Sequence, residues 1–134
     1  MDHLSLYVAD YQASKAFYLE ALKPLGFELY QEFPIADGHS FCGLGKRYGG
    51  PSSPVAPIFW IAPAHGDWPV TKTHFAFSAA SHEEVAAFHA AALRAGGQDN
   101  GAPGPRPHYH PHFYGAFILD PSGNNIEACC HKPQ

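Results

Sequence analysis

The sequence predicts an α+β fold in which one βαβββ unit is written twice. Three observations predict it. Two helical stretches share an internal pattern: Ala16/Ala87, Phe17/Phe88, Ala21/Ala92, Leu22/Leu93, Lys23/Arg94 and Gly26/Gly97 fall at a constant offset. At that same offset His3 meets His74, each on the strand that opens its half. Short alternating or apolar strands surround both helices, and a repeat with matched helix, stop and strand-borne His is a strong architectural signal.

"DHLSLYV" alternates and reads as the first strand, with His3, Ser5 and Tyr7, or their complements, on the inward face. Asp10 is a good helix N-cap, apolar residues recur at helical spacing from Ala16 to Leu22, and Pro24 and Gly26 stop the helix. "FELYQEF" is strand-like. Residues 36–56 are rich in Gly, Pro and Ser, with "CGLG" a short strand and "RYGGPSSP" a loop. "APIFWIA" is a buried strand. The second half opens on "THFAFSA", followed by a helix whose Ser81 and Glu84 form a capping box. His82 and His89 read as the solvated side of that helix. A Gly/Pro loop over 99–107 precedes "HFYGAFILD" and "NNIEACCH", two strands joined by the turn "DPSGN". The modules span 1–63 and 71–131 of a single domain, 1–134.

Composition narrows the function classes. Apolar residues make up 46% of the 134 and charged residues 15%, ample for a core and inconsistent with a disordered chain. A net charge of −4 with no Lys/Arg cluster argues against nucleic acid. No apolar run is long enough to span a bilayer. The start "MDHLSLYVAD" lacks the basic region of a signal peptide, and Cys129 and Cys130, on opposite faces of a strand, suit reduced thiols in the cytoplasm.

"DHLSLYVAD…AFYLEALKPLGFE" in the first half and "THFAF…DPSGNNIEA" in the second resemble the vicinal oxygen chelate superfamily, which includes glyoxalases, bleomycin-resistance proteins and extradiol-type dioxygenases. The resemblance covers essentially the whole chain. It implies that the modules pair into a cup-shaped mixed β-sheet around a metal with the helices outside, and that two copies pair as a homodimer.

Three side chains stand as candidate metal ligands: His3, His74 and Glu127. Two imidazoles and one carboxylate on separate strands make a 2-His-1-carboxylate set that leaves coordination positions open for substrate. The resemblance supports the same residues, since its ligands lie on the first and last strands of each module. At the fourth position the chain departs from glyoxalase I: "PIFWIA" offers Phe59 or Trp60 where that enzyme carries a Glu, leaving an aromatic wall in place of a ligand. The rival cluster is "RPHYHPHFYG". His108, His110 and His112 would share one face if extended, but Pro107 and Pro111 favour a loop at the mouth of the site. From it come Arg106 and Tyr114 as substrate contacts, and His110 and Tyr109, with Glu127, as candidate acids or bases. Cys129 shares the face of Glu127 and is a further candidate for substrate contact.

The expected function is a small metal-dependent enzyme acting on a bidentate oxygen-bearing substrate. One divalent ion is implied: iron would suit oxygenation, whereas zinc, nickel or manganese would suit lyase or isomerase chemistry. The alternatives are a non-catalytic drug- or toxin-binding protein of the bleomycin-resistance type and a regulatory module that kept the cup. The triad counts against both.

Overall fold

A computed structural model describes residues 1–133. The first half contains β1 (Leu4–Val8), α1 (Tyr11–Ala21), β2 (Glu28–Pro34), β3 (Ser40–Arg47) and β4 (Val55–Pro63). The second repeats that order with β5 (His74–Ser78), α2 (His82–Arg94), β6 (Gln98–Pro105), β7 (Tyr114–Leu119) and β8 (Asn125–Cys130). Each half makes its own four-stranded mixed sheet, ordered β1-β4-β3-β2 and β5-β8-β7-β6. β1 runs parallel to β4 and β5 parallel to β8, and the other neighbours are antiparallel. This is the α+β fold of two βαβββ modules that the repeat predicts.

Local chemistry sets each element. The Asp10 side chain accepts from Ala13 N at 3.0 Å to open α1, and Gly26, at φ 80°, closes the turn behind it. Ser81 Oγ accepts from Glu84 N at 3.2 Å to open α2, while the Glu84 carboxylate reaches back to Ala80 N. Strand alternation sends one set of side chains to the helices and the other to a helix-free face. Leu6, Val8, Phe59 and Ile61 in the first sheet, with Ile118, Ile126 and Ala128 in the second, are buried in the core with Phe17, Tyr18 and Phe88 of the helices.

The two halves meet through their helices and a cluster of rings. Phe59 packs on Tyr18 within its own half and on Phe75 and Phe77 across the junction, at centroid separations of 4.8, 5.6 and 5.4 Å. Gly97 is required by this closeness, because a Cβ there would stand 2.6 Å from Ile118 and 3.0 Å from Phe17. A polar pin crosses the same junction. Tyr18 Oη donates at 2.5 Å to Oδ2 of Asp120, which also accepts from Asn124 Nδ2, while Oδ1 accepts from Ser122 N and Asn124 N. Burial, and then the Asp120 charge, hold the Tyr18 hydroxyl far above its ordinary pKa, so it remains a donor.

Three expectations are corrected. Residues 98–105 form a strand where a loop was expected over 99–107. β6 is an edge strand, where Pro103 and Pro105 interrupt no central ladder, and register shifts flank Gly101. In the first half, "CGLG" is the centre of an eight-residue strand, because β3 lies between β2 and β4 and is paired on both sides. His89 is buried and 2.9 Å from Asp99, and His82 stacks on Tyr114 and donates to the Lys132 carbonyl, so neither lies on a bare solvated face.

Replacing Asp120 strands a buried hydroxyl and a buried amide. Asp120→Ala is expected to lower the unfolding free energy by about 3 kcal/mol and Tyr18→Phe by about 1 kcal/mol. Urea denaturation at neutral pH measures both.

Candidate metal centre and open faces

His74 opens β5, and Glu127 lies in the middle of the neighbouring β8, on the helix-free face of the second sheet. The hairpin turn places both. Asn124, held by Asp120, accepts from Thr73 N at 3.0 Å through its side chain, and Asn125 N donates to the Thr73 carbonyl at 2.9 Å. The residue before His74 is thereby tied to the residues that lead into Glu127.

His74 Nδ1 lies 2.9 Å from the Asn125 carbonyl oxygen. A carbonyl only accepts, so Nδ1 carries the hydrogen and Nε2 of the neutral ring presents a lone pair. That lone pair stands 3.4 Å from Oε2 of Glu127. Two acceptors facing each other at this range need a cation between them, either a proton or a metal ion. Glu127 is only 4% exposed, and among the described residues its Oε1 has no hydrogen-bond partner. Burial pushes its carboxyl above the usual carboxylate range, although His74, Arg106 and His131 pull the other way. Gly115 leaves room for the carboxylate, since a Cβ there would lie 2.9 Å from Oε1. The orphaned oxygen, the oriented imidazole and this glycine cradle fit a divalent ion.

His3 stands one residue before β1, its Nδ1 2.7 Å from Oδ1 of Asp2. A carboxylate accepts, so this ring too has its Nδ1 hydrogen engaged and its Nε2 available. Within one chain, however, His3 lines a cleft with Ile58, Phe59 and Phe75 and does not join the pair. Among the described residues no three His, Cys, Asp or Glu side chains converge on one point. Neither the set His3, His74 and Glu127 nor the set His108, His110 and His112 closes inside a single chain.

Strand register resolves the choice at the fourth position. Ser5 pairs with Trp60 in the first module as Ala76 pairs with Glu127 in the second, so Trp60 is the counterpart of the carboxylate. Phe59 faces the helices at 1% exposure and is a core residue, not a wall of the site. Tyr114 likewise points to the α2 side and stacks on His82 at 3.9 Å, because the alternation that aims Gly115 at Glu127 turns Tyr114 away.

The remaining candidates edge the same region. Arg106 lies 5.5 Å over the ring of Phe117, the cross-strand partner of Glu127, and donates to the Ala102 and Pro105 carbonyls. Cys129 Sγ is 3.8 Å from His131 Nε2, and burial pushes its thiol up to about 11, so it is protonated at neutral pH and no nucleophile. Residues 106–113 fold into a tight turn closed by Arg106 N donating to the Phe113 carbonyl at 2.7 Å. There His110 lies 6.0 Å from the ring of His131, while Tyr109 packs on His108 and Phe113.

The sequence profile of the glyoxalase/bleomycin resistance protein/dioxygenase superfamily matches residues 1–128. The chain belongs to this superfamily. A glyoxalase/bleomycin resistance protein from Albidiferax ferrireducens is 28% identical with a TM-score of 0.74, covering 99% of this chain and 98% of that one. A glyoxalase I mutant from Zea mays (20% identity, TM-score 0.69) matches 96% of this chain, which spans only 46% of the maize protein. An antibiotic binding protein from a Streptomyces species (18%, 0.63) covers 98% of this chain and 95% of its own. The last two share the fold. The comparison with curated proteins gave no match. The architecture seen here is thus shared by a glyoxalase I and an antibiotic binding protein.

The raised pKa of Glu127 gives a signed prediction. A carboxyl whose folded pKa exceeds its unfolded value, about 4.3, binds its proton more tightly in the fold. Stability therefore falls as pH rises from the unfolded pKa to the folded one. In metal-free protein, Glu127→Gln is expected to have the higher urea midpoint at pH about 7 and to converge with wild type below pH about 4.

Proposed function

We propose that this chain is a metal-dependent enzyme of the glyoxalase/dioxygenase type acting on a small substrate with two adjacent oxygens. The observation that supports it most is the His74–Glu127 pair: an oriented Nε2 lone pair facing a buried, half-unpartnered carboxylate. Two side chains hold a divalent ion weakly. The third ligand in this reading is His3 of a second copy, which makes the functional unit a homodimer with a shared centre. The open faces and the exposed, pre-oriented His3 ring support that assembly.

When bound, the ion would polarise the substrate oxygens as a Lewis acid and stabilise an anion formed beside them. Iron would admit oxygenation, and zinc, nickel or manganese lyase or isomerase chemistry. The chain's own part is positioning and proton handling. His74 and Glu127 would hold the ion. The Phe117 ring stands 6.2 Å from that of His74, with Arg106 held across it as the nearby cation for a substrate anion. Glu127 Oε1 has no hydrogen-bond partner among the described residues, and burial raises the proton affinity of its carboxyl, which suits it to take up a proton from a substrate beside it. His110 is a second candidate proton carrier, standing beside His131, and Tyr109 the more peripheral one at 63% exposed. Cys129 serves as a protonated lining side chain.

No helix among the described residues is long and apolar enough to cross a membrane, and the three cysteines are free and buried, which suits the reducing cytoplasm. The second reading, binding without catalysis, is favoured by the aromatic character of the first module's open face, where Trp60 replaces a ligand. Metal content separates the two. Elemental analysis of purified protein is expected to show a stoichiometric divalent ion, reduced to less than roughly a tenth in His74→Ala and in Glu127→Gln. Undiminished metal in both variants would reject the centre.

A further inference from the structure

The helix-free face of the first sheet carries a cleft of about 280 Å³, close to the lower end of the range for ligand pockets. Tyr7 forms one wall, with Trp68 stacked on it at 5.1 Å and His65 against its edge. Phe41 and Ile35 form the other, and Trp60 lies on the floor between them. His65 and Trp68 are clasped by two reciprocal backbone hydrogen bonds, which hold that wall in place. The Trp60 indole lies against Gly43, where a Cβ would come within 2.8 Å of the ring, so the missing side chain lets it rest flat on the sheet. Phe33 and Phe41 stack at 5.2 Å and 20°, and both lean on Trp60.

An aromatic surface of this extent on an open concave face has a ligand-binding character. The lining holds no Asp, Glu, Lys or Arg, so it offers no permanent charge to pair with a charged ligand. Its polar side-chain groups are the Ser5 and Tyr7 hydroxyls, the His65 imidazole and the Trp60 indole N–H, suited to a hydroxyl or carbonyl on the ligand's rim. The volume admits one or two fused rings, and the aromatic faces that line the cleft offer stacking surfaces to a flat partner.

We infer that this cleft binds a neutral, flat aromatic molecule of one or two rings, and that it is the recognition half of the site. The inference rests on the proposed function for the link between ring and metal. The ring subsite itself stands on the geometry of the first module. The register equivalence of Trp60 and Glu127 gives the division of labour: one module presents an indole where the other presents a carboxylate. Ser5 is two residues from His3, about 7 Å along an extended chain, so a ring in the cleft and oxygens at the centre fit one small molecule.

The test is calorimetric titration of metal-stripped protein with 2-naphthol and with its saturated counterpart, decahydro-2-naphthol. Proton–nitrogen correlation spectra locate the binding, because the chain has only two tryptophans and both border this cleft. Saturable micromolar binding of 2-naphthol is expected, with a shift of the Trp60 indole signal. Affinity should be about tenfold lower for the saturated alcohol, and about tenfold lower in Trp60→Leu and Tyr7→Ala. Either variant suffices if the other fails to fold. Equal affinity for both alcohols, no saturable binding, or unchanged affinity in both variants would overturn the inference. Metal content of the unstripped protein separates the two readings. Metal without ring binding sinks this inference alone, and ring binding without metal supports it while sinking the proposed centre.

Discussion

The buried carboxylate of Asp120 ties the two modules together and holds the turn that leads into β8. Buried at 5% exposure, it accepts from the Tyr18 hydroxyl of the other module and from three donors of its own turn. A buried charge is tolerable only when so many donors surround it, and that requirement fixes the turn in one conformation. Fixing the turn fixes Asn124, Asn124 fixes Thr73, and Thr73 delivers His74 beside Glu127. The pin that docks α1 on the second module is thus also the pin that sets the candidate centre.

The two modules share topology and register but have diverged in chemistry. The second gathers His74, Glu127 and Arg106 around a glycine cradle, whereas the first fills its open face with Tyr7, Phe41 and Trp60. In the proposed function neither half alone makes a complete site. Charge without a recognition surface would hold an ion with nothing to position, and rings without charge would bind without reacting. A second copy that set the first face against the second would unite them.

Much of this was legible in the sequence, and what was not has identifiable causes. The repeat, the caps at Asp10 and Ser81 and the "DPSGN" turn all act over a few residues, so local reading found them. Glu127 was legible because a carboxylate in an apolar strand demands a partner. The strand β6 was not, since Gly and Pro signal a loop unless one knows that the segment lies at a sheet edge. Phe59 against Trp60, and Tyr114 against Gly115, turned on a one-residue register that alternation alone does not fix. The orientation of His74 by a backbone carbonyl, and the failure of His3 to reach it within the chain, depend on how the two sheets sit together, which no local pattern encodes.

A centre shared between two copies is open to test by mixing two variants that each lack one ligand. His3→Ala and His74→Ala chains, co-expressed and purified as a heterodimer by separate tags, would reconstitute one intact centre, with His3 from one copy and His74 and Glu127 from the other. Each variant alone is expected to be depleted of metal, and the heterodimer to hold one ion per pair of chains. A heterodimer as empty as its parents would contradict it, and so would a monomer that retains metal.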